Sequence, residues 1–207
     1  STPLYSSAAS DVYKRQIMYH PISGLDRDEF VEFFNRGDGA HDISGWKVEG
    51  VGDFEFPPGT VIGPGEYLVI AHSVSEIARD HGLGPDVLVQ TPYPGNLGTG
   101  GERLRLRDLN GNIADKGRYY DGGQWSRWAD GGGASLERID PDSESSVATS
   151  WDASDDSDES EVTTYTHTAQ HGGGESDLGL LLPAEGITIV DNAVSYTHLT
   201  LPTNREV

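Results

Sequence analysis

Few residues in this chain have the type and spacing that chemistry requires. Ser44-Gly45-Trp46-Lys47 fits S-x-x-K, a pattern that serves a serine nucleophile only where the Ser opens a helix. Here it lies in a strand-like stretch. His167 and His171 are four apart, the spacing that holds zinc on one helix face. Threonines and Tyr165 precede them and three glycines follow, which favours a strand and a loop. His20, His41, His72 and His81 are scattered and read as surface or edge residues. With 34 carboxylates in the chain, some pair always suits glycoside hydrolysis, so no pair is singled out. Asp152, Asp155, Asp156, Asp158 and Glu159 offer the hard oxygens that calcium prefers, without the loop spacing and glycine of an EF-hand. They read as a solvated linker, with calcium the one ion they would hold. Arg103, Arg105 and Arg107 form a stripe able to meet phosphate or an acidic partner. Glu102 and Asp108 flank it, and alternation on the wet face of a sheet explains it as well. G-x-S-x-G, phosphate-loop and H-E-x-x-H patterns are absent. No catalytic, cofactor-binding or metal residue is assigned, and the chain is expected not to be an enzyme.

The composition bounds the classes that remain. The 207 residues suffice for one domain or one and a half small ones, and the formal net charge is -20. Such a charge repels phosphate backbones and anionic lipid, so nucleic acid is a disfavoured partner. It suits a very soluble protein in salt water or near divalent cations. The absence of cysteine excludes a disulfide framework, thiol nucleophiles and Cys-based zinc sites. No run reaches about 18 apolar residues, so no membrane span is expected.

The elements that would position these residues are strands. Short runs of Val, Ile, Tyr, Trp and Thr alternate with Gly and Pro turns. Strands are expected at 17–20, 28–35, 43–48, 54–56, 60–62, 66–71, 103–108, 112–120 and 134–139. In the second of these, Val31 and Phe33 face one side and Phe30, Glu32 and Phe34 the other. Trp46 is a core anchor. Ser73, with Glu76 three residues on, signals the one helix, which Gly82 ends. Leu104 and Leu106 oppose the arginine stripe, and Asn110-Gly111 marks a two-residue hairpin turn. A Gly-rich loop holds Trp125 and Trp128. This spacing of turns points to a sandwich or barrel. Strand-like runs then recur at 161–169, 178–182 and 187–190, as at the start of a second β domain.

The two ends differ from the rest: residues 1–16 and 195–207 hold only Asp11 and Glu206 among their acids. Both resemble translated sequencing-adapter scars, as recur in metagenomic genes, and are set aside as artefact or disordered tail. The expected layout is a β-sandwich over 17–151, an acidic linker over 152–160 and the truncated start of a second module over 161–194.

Span 17–151 resembles the lamin-tail domain in its bacterial extracellular form. The resemblance rests on IMYHP at 17–21, DEFVEFFN with GDG at 28–39, DISGW at 42–46, FPPGTVIGPGEYLVIA at 56–71, GERLRLRDLNGNIAD at 101–115, WADGGGASLERID at 128–140, and Trp151 with Ser154. Two places depart from the pattern: Gly98-Thr99-Gly100 precedes Gly101-Glu102 where an Asn-containing turn is usual, and Trp125-Ser126 replaces Trp-Pro. The resemblance implies an all-β, immunoglobulin-like sandwich, here with one short helix, that binds proteins or nucleic acid or tethers enzymes without catalysis of its own. Its matched motifs are turn glycines and core aromatics, so no catalytic residue carries over. Residues 161–194 are similar to the opening of a jelly-roll module, through Leu180–Leu182, Glu185-Gly186, Ile187 and Ile189–Asn192.

The function expected is a non-catalytic binding or scaffolding module, for adhesion or docking, in a larger secreted or cell-surface bacterial protein. Its partner would be a protein or a glycan. Two alternatives remain open: a carbohydrate-binding protein acting through the second β module, and an accessory domain of a secreted hydrolase or nuclease.

Overall fold

The computed structural model describes residues 11–154 in full and the backbone of 162–167 and 187–192. The chain divides into two compact units, the second spanning Asp156–Ser195.

The first unit is two antiparallel sheets packed face to face. One carries β1 (Val12–Met18), β2 (Phe30–Asn35), β7 (Tyr67–Ala71), β10 (Leu136–Arg138) and β11 (Trp151–Ala153), in the order β11-β10-β1-β2-β7. The other carries β4 (Lys47–Glu49), β5 (Phe54–Glu55), β8 (Arg103–Arg107) and β9 (Ile113–Arg118), in the order β5-β4-β8-β9. A two-residue ladder joins β3 (His41–Asp42) to β6 (Val61–Ile62). Period-two alternation drives the layering. Val31 and Phe33 of β2, Ile70 of β7, Val48 of β4 and Leu104 and Leu106 of β8 are buried in one core, with Trp46 beside them. Phe56 sets its ring edge against Phe33 at 5.5 Å and against Phe54 at 5.1 Å.

The opposite face of β2 is covered too. Phe30 joins Met18, Val69, Ala71, Leu83 and Leu88 in a second cluster, closed by Ile77 of the helix α1 (Val74–His81). Gly82 ends this helix with a left-handed φ of 64°. The expected capping box does not form. Ser73 sits at the N-cap without a side-chain hydrogen bond, and the Glu76 carboxylate pairs with Arg79 instead.

Several boundaries differ from expectation. The first strand begins at Val12 and not at Ile17, so residues 12–16 belong to the sheet although they lie in the segment set aside as a tail. Tyr13 pairs with Phe34, Gln16 with Glu32, and a bulge between Lys14 and Gln16 lets both Lys14 and Ile17 face the core. At the other end the sandwich runs past Trp151. Leu136 pairs with Ala153, and the Ser154 N–H donates to the Ser135 carbonyl at 2.9 Å. Residues 43–46 form a turn that inserts Trp46, with strand only from Lys47. The hairpin loop has three residues, not two. Asp108 N donates to the Asn112 carbonyl and Gly111 N to the Asp108 carbonyl, both at 2.9 Å. Gly111 takes φ 79°, the left-handed residue that such a three-residue loop requires.

In the second unit, β12 (Val162–His167) pairs antiparallel with β13 (Ile187–Asn192). The strand expected at 178–182 lies outside the described residues.

Candidate functional site

The arginine stripe acquires company from strands far off in sequence. Arg103 lies opposite Arg118, Arg105 opposite Lys116 on one side and Glu49 on the other, and Arg107 opposite Lys47. Lys47 in turn faces Glu55. Cross-strand partners share a face, so six of the chain's 14 Lys and Arg residues stand on the outward side of one four-stranded sheet. Leu104 and Leu106 hold β8 in this register by burial on the other side.

Only part of this charge is balanced. Glu49 accepts from Arg105 at 2.8 Å and from Arg107 at 2.5 Å, and these hydrogen bonds, that from Arg107 first, hold its carboxyl below the usual range. Arg107 also donates to the Gly111 carbonyl at 2.9 Å. Lys47 lies 3.6 Å from Glu55. Arg103, Lys116 and Arg118 have no ion-pair partner among the described residues; Arg118 rests over the Tyr120 ring at 4.8 Å. Two shallow grooves cross the face. One, of about 320 Å³, is lined by Arg103, Arg105 and Lys116 with Glu144 at its edge. The other, of about 420 Å³, is lined by Arg103, Arg105 and Arg118 with Glu49 and Glu102. Their open shape suits a partner that lies along the surface rather than a small molecule enclosed in a pocket.

The other residues weighed for chemistry are not brought together. Ser44 sits in a turn, where its hydroxyl donates to Asp42 at 2.5 Å and accepts from the Gly59 N–H at 2.9 Å. Lys47 points to Glu55 and not to Ser44. His20 lies 2.7 Å from Asp130 and His41 3.2 Å from Asp11, while His72 packs edge-on to Tyr93 and His81 to Phe30. His167 falls in a strand, and His171, Asp155, Asp156, Asp158 and Glu159 lie outside the described residues. Asp152 is exposed on β11.

The interior holds charges that the sequence did not reveal. Lys14, fully buried, meets the Asp115 carboxylate between the two sheets, and Arg138 reaches the same carboxylate at 3.2 Å. Burial alone would push Asp115 up, but the cations outweigh it and hold the group below its ordinary value. Burial depresses Lys14 despite that partner. Glu29 accepts from the Leu97 N–H at 2.8 Å and the Tyr93 hydroxyl at 3.3 Å, and burial pushes it up to about 7. Glu32 is raised to about 7 by burial, against the pull of Arg15 at 2.8 Å. No periodicity could have flagged these groups, because each occupies a position that the pattern assigns to apolar residues or to solvent.

Two antiparallel layers, one helix on an outer face and a cationic sheet surface define an immunoglobulin-like sandwich module. A family model of the lamin tail domain matches residues 5–121, more than half the chain. The chain therefore belongs to the lamin tail domain family, whose members are generally non-catalytic and mediate protein interactions. No curated protein matches it. Among the described residues no helix is long and apolar enough to cross a membrane.

Proposed function

We propose that this chain is a non-catalytic docking or adhesion module of a larger bacterial protein that works outside the cell or on its surface. The observation that carries the reading is the cationic face of β4, β8 and β9. Like charges placed directly opposite one another weaken a sheet, yet Arg103 faces Arg118 and Arg105 faces Lys116 in a chain of net charge -20. A partner that supplies anions would offset that cost. The acidic composition accords with a very soluble protein in salt water or near divalent cations. The sequence beyond the sandwich, an acidic run after Ser154 followed by strand-like stretches over 161–194, accords with a multidomain parent.

The purified chain is expected to show no turnover of ester, phosphoester or glycoside substrates. Reproducible turnover abolished by a single substitution would overturn the reading. Fractionation of the native source is expected to find the protein outside the cell or on its surface; recovery in the cytosol alone would remove the extracellular part of the proposal.

A further inference from the structure

We propose that the outward face of β4, β8 and β9 binds a short, extended acidic segment of a partner protein, with carboxylates on alternate residues. The proposal rests on the docking reading above and names the chemistry of the partner. Along β8 the cations fall on every second residue, about 6.6–6.8 Å apart. Side chains on alternate residues of an extended peptide repeat at that same distance. Each of the three rungs adds a second cation from a neighbouring strand: Arg103 with Arg118, Arg105 with Lys116, Arg107 with Lys47. Glu49 already engages Arg105 and Arg107, and Glu55 engages Lys47. The free capacity therefore concentrates at Arg103, Lys116 and Arg118.

The borders of the face select the kind of anion. Glu102 precedes the first arginine and lines the groove beside it, Asp108 follows the last, and Glu144 edges the groove along β9. The cationic strip is about 13 Å long between Arg103 and Arg107. A polypeptide carries acids over a five-residue stretch and changes residue type beyond it. A uniform polyanion has no such freedom. A nucleic acid, with one charge per about 1.7 Å of duplex, would run its phosphates onto these carboxylates and into the field of the whole chain. A sulfated polysaccharide meets the same borders. Arg118 holds its guanidinium carbon 4.8 Å from the Tyr120 ring centroid at the end of the strip, a contact with the ring face that does not consume the N–H donors a carboxylate would accept from.

The test uses the full chain and a fluorescein-labelled peptide in which Glu alternates with Ser over five residues between Gly-Ser flanks, read by anisotropy at low salt and at physiological salt. Binding is expected at low salt and is expected to weaken as salt rises. The triple variant R103E/K116E/R118E should weaken it about tenfold or more, since three exposed charge pairs are lost. R79E, on the helix of the other layer, should leave it unchanged. Melting curves check that the variants fold, and K116Q/R118Q answers the same question with milder substitutions. Absence of binding by this peptide, or binding that the β8–β9 variants do not alter, overturns the proposal. Tighter binding of size-matched heparin or single-stranded oligonucleotide overturns the assignment to an acidic peptide. Either result, with no enzymatic turnover, would leave the non-catalytic reading standing, so the two can fail separately.

Discussion

Glu29 shows how a single buried carboxyl writes a pH dependence into the domain. Its carboxyl is raised from 4.5 to about 7 by burial, although the Leu97 N–H and the Tyr93 hydroxyl both donate to it. Between those values the folded chain keeps a proton that the unfolded chain has released. Stability from this group is thus complete below about pH 4.5 and is lost as the pH rises through about 7. Glu32, likewise raised to about 7, adds a second contribution of the same sign. The melting temperature is expected to fall between about pH 5 and pH 7.5, and Glu29→Gln to shrink that fall while leaving the share of Glu32. An identical pH slope in the variant would remove Glu29 as a cause. Neither carboxyl was legible in the sequence. Both sit in DEFVEFFN, where alternation puts Glu29 at the border of the strand and Glu32 on the face opposite Val31 and Phe33. What buries them comes from elsewhere: Tyr93 and Leu97 from a loop over one, β1 and β7 beside the other.

At the scale of elements, Asp115 ties the layers together. It projects from β9 of one sheet to Lys14 of β1 and Arg138 of β10 in the other. Asp115→Ala would leave two buried cations without a counter-charge, and is expected to cost about 3–5 kcal/mol in urea unfolding. Glu49→Ala, on the solvent side of the same sheet, removes two partly exposed pairs, with Arg105 and Arg107, and is expected to cost about 1 kcal/mol or less. Equal costs would show that Asp115 is not the tie described. The alternation of β8, the burial of Trp46 and the helix closed by Gly82 were all readable, because each depends on neighbours in sequence. The start of β1 was not, since residues 12–16 resemble an adapter scar and their role appears only in pairing with β2 and β10. The cationic face was half-readable. Its arginine stripe is local, but Lys47, Lys116 and Arg118 join it through strand register, which no local pattern reports.

The whole molecule carries a charge that acts beyond any one contact. At net -20 the folded chain repels itself, and salt shortens the reach of that repulsion from about 30 Å at 0.01 M to about 8 Å at 0.15 M. Added salt over that range is expected to raise the melting temperature by about 2–4 °C, the shift that about 1 kcal/mol produces in a chain of this size. A fall would show that the ion pairs at Glu49 and Asp115 outweigh the general repulsion. The same salt that firms the fold should loosen an acidic partner, so stability and affinity are expected to move in opposite directions.

The margins of the two sheets have a consequence for life in company. β5 is only two residues long and β11 only three. Beside β7 the segment at 87–89 exchanges backbone hydrogen bonds with Val69. Beside β9 the Ser145 hydroxyl takes the Lys116 carbonyl, and Gly117 leaves room for that approach. Exposed strand margins are where β proteins stitch themselves to their neighbours. Among the described residues, the margins of these two sheets are short or partly engaged, which lowers the tendency of neighbouring copies to join strand to strand through them.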